Sequence, residues 1–255
     1  MPSGRASQVA PFPTPDAVVA DAAGRFVSVA AQAVRETGRF VVALAGGSTP
    51  KRLYERLATP EYATRVDWAH THVFFGDERC VPPDDPASNY RMTRLALLDR
   101  VPIPAANVHR MRGEDDPTAA AGAYERELRA LFATPDGPPS VRSDGRFHLV
   151  LLGMGSNGHT ASLFPGLTAV RERERWVVAE HVAEVAAWRI TLTPPVLNAA
   201  AQVLFLVLGA DKAPMLKRVL EGPVRPDELP AQAIVPHDGA LTWLVDAAAA
   251  RDLEG

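Results

Sequence analysis

Residues 147–165 read FHLVLLGMGSNGHTASLFP, from Phe147 to Pro165. The apolar run Phe147, Leu149, Val150, Leu151, Leu152 breaks into Gly153, Gly155 and Gly158, and His159 follows with Thr160 and Ser162 close behind. An unalternated apolar run closed by glycines predicts a strand buried on both faces, ending in a turn that presents an imidazole. Three glycines so close together cost chain entropy, and the usual reason to keep them is a close approach of backbone to a ligand. His159 is therefore the leading candidate for a general base, since an ordinary pKa of about 6.5 leaves much of it neutral near pH 7. The turn also fits G-x-G-x-x-G formally, with Glu180 where a ribose-binding acid could lie. That fingerprint needs a long unbroken helix next, and Pro165 and Gly166 interrupt it early, so nicotinamide binding is set aside and no cofactor is expected.

Working outward, the same logic recurs. Phe40 to Ala45 reads as a buried strand, Gly46 and Gly47 as its turn, and Thr49 and Pro50 as the cap and first residue of a helix. His72 to Phe75 is a strand that runs into Gly76, Asp77, Glu78, Arg79 and then a polar loop kept irregular by Pro82, Pro83 and Pro86. Val203 to Leu208 is a strand ending in Gly209, with a helix opened by Asp211 and stopped at Gly222. Apolar spacing predicts further helices from Asp16 to near Gly38, from Ser88 to Asp99 and over 117–132. Trp176 to Ala179, Arg189 to Thr193 and Leu241 to Val245 read as strands, Pro194 and Pro195 as the start of a short helix, and the final alanines as a terminal helix. Residues 11–15 read as a loose proline-rich lead-in and 134–146 as an exposed loop.

Strands alternating with helices, the strands apolar throughout, predict an α/β fold: a mainly parallel sheet covered by helices on both faces, in three layers. Ligands of such sheets bind outside the carboxyl ends of the strands. The turns at Gly46, Gly76, Gly153 and Gly209 should therefore share one edge and converge.

Composition narrows the partners. The chain has 255 residues, 47% hydrophobic and 22% charged, a profile that can bury a full core, and it is read as one domain over 1–255 behind the lead-in at about 1–15. A net charge of −3 without a Lys/Arg-rich block argues against nucleic acid and anionic membrane surfaces. The lone Cys80 allows no internal disulfide and no cysteine-built metal site, and the histidines show no ligand spacing, so no metal is expected and a reducing compartment fits. The N-terminus lacks an apolar signal core, and the longest apolar run, VLFLVLGA from Val203, is far short of the roughly 20 residues that span a bilayer. The expectation is a cytoplasmic protein, monomeric or weakly homo-oligomeric.

The turns supply a consistent chemistry. Gly46, Gly47, Ser48 and Thr49 before a helix form an anion site of backbone N–H groups and hydroxyls. Arg79 offers a guanidinium suited to phosphate or carboxylate, and Arg189 and Lys212 add cations at other element boundaries. Cations converging on one sheet edge of an acidic protein predict a small phosphorylated substrate.

LAGGSTP at 44–50, GDER followed by Ser88-Asn89-Tyr90, LLGMGSNGHTASLFPG at 151–166, RITLT with Leu197-Asn198, and LGADK at 208–212 together resemble the glucosamine-6-phosphate isomerase/6-phosphogluconolactonase family, on its lactonase side. The resemblance covers about residues 40–223. It implies a Rossmann-like sheet and cofactor-free hydrolysis of 6-phospho-D-glucono-1,5-lactone in the oxidative pentose phosphate pathway. It further implies His159 as base, Gly46, Gly47, Ser48, Arg79, Arg189 and Lys212 as phosphate or substrate contacts, and Asp77 and Asn89 as residues that shape the site. The family's deaminases carry a Glu shortly after the histidine, whereas 160–171 here contain no carboxylate. One departure concerns Asn157. The family pattern has Asp immediately before Gly-His, and an amide can orient a ring but supplies no charge to favour the imidazolium.

Overall fold

The computed structural model describes residues 7–133 and 145–254. The expected loop at 134–146 therefore lies outside the described residues except for Gly145 and Arg146. Nine strands form two sheets among the described residues. The larger comprises β1 (Gln8–Phe12), β2 (Phe40–Leu44), β3 (Thr71–Phe75), β5 (Leu149–Leu152), β8 (Gln202–Val207) and β9 (Ala240–Asp246) in the order β1-β9-β8-β5-β2-β3. Every neighbouring pair in it is parallel. The smaller is antiparallel, β4 (Asp77–Arg79), β7 (Ala187–Leu192) and β6 (Val177–Val182), in the order β4-β7-β6.

Why the strands read as unbroken apolar runs is visible in β2. Val41 and Ala43 enter one apolar layer, and Phe40, Val42 and Leu44 enter the other. Successive side chains point to opposite faces, so a strand covered on both sides must be apolar at every position. One covering layer contains α1 (Pro15–Thr37) and α2 (Ser48–Leu57), through residues such as Phe26, Leu53 and Leu57. The other contains α5 (Pro117–Ala133), α7 (Ala213–Glu221) and the inner face of the small sheet, through Leu128, Leu216, Ile190 and Leu192. Each such large side chain removed from water contributes about 1.5–3 kcal/mol. The three-layer α/β architecture expected from the sequence is the one observed.

Four details differ from expectation. Residues 8–12 are an edge strand rather than loose lead-in: Pro11 lacks an N–H, but β1 pairs only with β9, and an edge strand tolerates proline. Asp77–Arg79 is a strand rather than loop, because the antiparallel partner β7 takes up its backbone groups. The expected strand at Arg189–Thr193 accordingly lies in the small sheet as far as Leu192 and not in the parallel one, with Thr193 as the cap residue of the short helix Pro194–Asn198. Finally, α2 starts at Ser48 with Gly47 as its cap residue and no side-chain cap, so Thr49 does not cap it and Pro50 sits in the third helical position. A first-turn N–H has no intrahelical partner, which is why proline fits there.

Gly76 ties the two sheets together. Its N–H donates to the Leu44 carbonyl at the end of β2, and its carbonyl accepts from Leu192 N–H of β7, both at 2.8 Å. The small sheet is thereby hinged onto the carboxyl edge of the parallel sheet, beside the turns that follow β2, β5 and β8.

Candidate active site

The strand-end turns do converge. A cavity of about 350 Å³ is lined by Gly46, Gly47, Asp77, Arg79, Asn89, Gly153, Gly155, His159 and Arg189, among others. A contiguous smaller one of about 160 Å³ shares Gly46, Gly47 and Gly153 and adds Ser48, Thr49 and Lys212. All the expected site residues therefore line one composite cleft except Asn157, which stands behind the imidazole. Glu180 lies elsewhere: it sits in β6 of the small sheet and accepts from Thr168 and Ala169 N–H.

Gly155 of the opening turn is explained by the histidine itself. A Cβ on Gly155 would stand 2.1 Å from two atoms of the His159 ring, so the ring can lie against this backbone only because the residue is glycine. The turn closes through Gly155 N–H to the His159 carbonyl at 2.9 Å and Thr160 Oγ1 to the Gly153 carbonyl at 2.8 Å. Phe164 stacks on the other side of the ring at 4.2 Å between centroids. Packed from both faces, the imidazole is held in orientation.

The ring's hydrogen bond fixes its tautomer. Asn157 Oδ1 lies 2.6 Å from His159 Nδ1 and also accepts from His159 N–H at 3.1 Å. The amide NH₂ of Asn157 donates to both oxygens of Glu184, at 3.1 and 2.9 Å, which orients the amide with its oxygen toward the ring. An amide oxygen can only accept, so Nδ1 carries the proton and Nε2 is the basic nitrogen. Burial holds His159 below its ordinary pKa; Asp77 and Glu184 pull it up, whereas Lys212 and Arg189 push it further down.

Period-two alternation sorts the GDER strand. Asp77 and Arg79 share one face of β4, directly opposite Thr191 and Arg189 of β7. Asp77 is buried; it accepts from Ser162 Oγ at 2.7 Å and from Asn89 Nδ2 at 3.2 Å. Asn89 Nδ2 also donates to the Asp77 carbonyl at 2.9 Å, and the Asn89 side chain fills the space a Cβ on Gly46 would need. Arg79 and Arg189 face each other across the strands. Arg79 donates to the Ala87 carbonyl, yet among the described residues its Nε has no partner, and neither Nε nor one terminal nitrogen of Arg189 has any, although all three atoms are buried. Burial and then the charge of Arg79 hold the Arg189 guanidinium below its usual pKa, and it remains a cation. Like charges set directly opposite on neighbouring strands destabilise a sheet. Lys212, behind the Gly209 turn, pairs among the described residues only with the exposed Asp211, at 3.4 Å.

Glu78 points the other way and serves the scaffold. It is 2% exposed and accepts from Arg79 N–H, Asn89 N–H, Tyr90 N–H and Ser88 Oγ at 2.7–3.0 Å, closing the first turn of α4 (Asn89–Ala96). Burial raises its pKa, and the backbone donors offset part of the rise. Glu78→Gln would turn an NH₂ toward these donors. We expect a loss of about 2 kcal/mol, seen as a Tm roughly 4–8 °C lower in a thermal melt.

Four site residues carry no assignment from the sequence: Gly155 under the ring, Phe164 over it, Ser162 on Asp77, and Glu184 behind Asn157. Gly155, Ser162 and Phe164 lie within the decisive stretch itself, where a hydroxyl and an aromatic near a histidine were the available signal. Glu184, on the connection between β6 and β7, had none.

The cleft can be compared with known proteins. The profile of the family described as glucosamine-6-phosphate isomerases/6-phosphogluconolactonase matches residues 13–243. The chain is 44% identical over 223 residues to a 6-phosphogluconolactonase of Nostoc sp., covering 87% of this chain and 88% of the relative. It is 39% identical over 210 residues to that of Haemophilus influenzae, with 82% and 86% covered. The solved 6-phosphogluconolactonase of Trypanosoma cruzi superposes with a TM-score of 0.85 at 29% identity, over 99% of this chain and 98% of that one. A monomeric glucosamine-6-phosphate deaminase shares the fold, with a TM-score of 0.80 at 22% identity, over 96% and 100% of the two chains. With the profile spanning most of its length and relatives this similar along nearly their whole chains, the protein belongs to the glucosamine-6-phosphate isomerase/6-phosphogluconolactonase family.

Proposed function

We propose that the chain is a 6-phosphogluconolactonase, hydrolysing 6-phospho-D-glucono-1,5-lactone to 6-phosphogluconate in the oxidative pentose phosphate pathway. The observation that carries the reading is one cleft holding both an imidazole with Nε2 as its basic nitrogen and two half-buried guanidinium groups with buried nitrogens that have no partner among the described residues. The unpartnered N–H groups of Arg79 and Arg189 suit a phosphate dianion, which repays both their desolvation and their mutual repulsion. Lys212 and the Gly46–Ser48 turn at the α2 N-terminus extend the same positive lining.

With the phosphate held, His159 Nε2 takes a proton from water as the oxygen attacks the lactone carbonyl carbon. The charge that develops on the carbonyl oxygen is met by a cation or turn N–H of the cleft. The tetrahedral intermediate collapses by breaking the bond from that carbon to the ring oxygen, which leaves as a hydroxyl after accepting the proton from the imidazolium. Asp77, fixed by Ser162 and Asn89, lies close enough to favour that imidazolium. Residues 160–171 offer no carboxylate for the proton shuttling of an amino-sugar isomerisation, and Phe164 covers the ring instead. The lone Cys80 supports a reducing, cytoplasmic setting.

The test compares the phosphorylated lactone with unphosphorylated glucono-1,5-lactone, each corrected for spontaneous opening. We expect kcat/KM to favour the phosphorylated form by at least about 100-fold, because two charge-assisted bonds are lost without the phosphate. The acidic limb of the pH profile should lie below about 6.5, since burial depresses the pKa of His159 and the base must be neutral. Equal rates on the two lactones would overturn the phosphate assignment.

A further inference from the structure

Asn157 presents a problem that the geometry resolves. The imidazole of a general base is usually backed by a carboxylate, and here its neighbour is an amide. Behind the amide stands Glu184, receiving both N–H···O contacts from Asn157 Nδ2. Glu184 lies in the single helical turn Ala183–Val185 at the tip of the β6–β7 hairpin. Ala186 closes that tip with φ at 46°, a left-handed conformation that a residue with a Cβ adopts only at a cost, and its N–H donates to the Ala183 carbonyl at 3.1 Å. The register on either side, Val182 opposite Ala187 and Glu180 opposite Arg189, carries the same hairpin back to the Arg189 strand. One hairpin thus delivers a guanidinium to one wall of the cleft and a carboxylate to the back of its base.

We infer that Glu184, acting through the Asn157 amide, is a positioning residue that sets the tautomer of His159 and favours its imidazolium. The inference rests on the proposed lactonase role of His159. An amide can flip, presenting NH₂ instead of oxygen to the ring, and a flipped Asn157 would require the Nδ1 lone pair and put the proton on Nε2, where it disables the base. The backbone N–H of His159 resists that flip from one side and the Glu184 carboxylate from the other. The negative charge of Glu184, relayed through a polarised amide, also stands in for the missing carboxylate. The other charged groups facing His159 are Asp77 of β4, Arg189 of β7 and Lys212 behind the Gly209 turn, and the two cations oppose the effect of Asp77. Glu184 adds to the pull of Asp77 from the solvent side. Its exposure means that salt should weaken the charge effect but not the orientation.

The experiment uses the full chain in four forms: unaltered, Glu184→Ala, Asn157→Asp, and the double variant Glu184→Ala/Asn157→Asp. In Glu184→Ala we expect kcat to fall about tenfold with KM nearly unchanged, and the acidic limb to move down by roughly half a pH unit, at an unaltered Tm. In the double variant an aspartate cannot present the wrong edge, and kcat should return to within about threefold of the unaltered chain. Nitrogen-15 NMR of the free protein reports the tautomer without substrate: Nδ1–H in the unaltered chain, a mixture in Glu184→Ala, and Nδ1–H again in the double variant. Unchanged kcat, limb and tautomer in Glu184→Ala would overturn the inference, as would a double variant that folds with the same Tm yet recovers nothing. A chain that fails to accelerate lactone opening at all would remove the lactonase reading instead, and the NMR measurement would still decide the relay.

Discussion

His159→Ala is expected to reduce the enzymatic rate of lactone opening by about 10³-fold or more, while 6-phosphogluconate still binds with an affinity within a fewfold of the unaltered chain. Positioned acid–base help is worth about 10² to 10⁴, and here one ring supplies it twice, to the attacking water and to the leaving oxygen. The cations that would hold the product lie on β4, on β7 and behind β8, and the loss of the ring leaves their supports in place. Phe164 and Gly155 lose a packing partner, and Asn157 Oδ1 loses its bond to the ring. Stopped assays for rate and calorimetry for product binding separate the two effects. Loss of both together would mean that His159 holds the turn rather than working in it.

Arg189→Met carries the second large effect. The methionine keeps the apolar stem but removes a half-buried guanidinium, two of whose nitrogens are buried without a partner among the described residues, facing Arg79. We expect KM for the phosphorylated lactone to rise about 100-fold or more, with a smaller change in kcat, because the lost contacts are made to a group remote from the reacting carbonyl. The same change should stabilise the free protein by about 1 kcal/mol, through relief of unpaired desolvation and like-charge opposition. A variant that both binds less and melts higher marks a residue kept for its ligand. If Arg189→Met instead melted lower and kept its KM, the guanidinium would belong to the scaffold.

The sequence made the main sheet and the convergence of its turns legible for one physical reason. Strands covered on both faces must be apolar at every position, and the glycine turns that follow β2, β3, β5 and β8 are easily seen. The small sheet was harder. Asp77–Arg79 is three residues of charge, and only its pairing with β7 makes it a strand; nothing local says so. Pro11 hid β1 because a proline that would break a central strand is harmless at an edge. In the site, His159 and the cations could be picked out by residue type beside glycine turns. Glu184 could not, since it reaches His159 only through the fold of a hairpin 27 positions away along the chain from Asn157. Asn157 itself read as a weakening of the base, and in three dimensions it is the link between base and carboxylate.

The most direct measurement is a side-by-side rate assay with freshly prepared 6-phospho-D-glucono-1,5-lactone, corrected for spontaneous hydrolysis, and with glucosamine 6-phosphate, followed as ammonia release. A cleft with one neutral imidazole, a cation grip and no carboxylate after the histidine predicts rapid opening of the lactone and no ammonia. Ammonia release without acceleration of lactone opening would contradict the account at its centre.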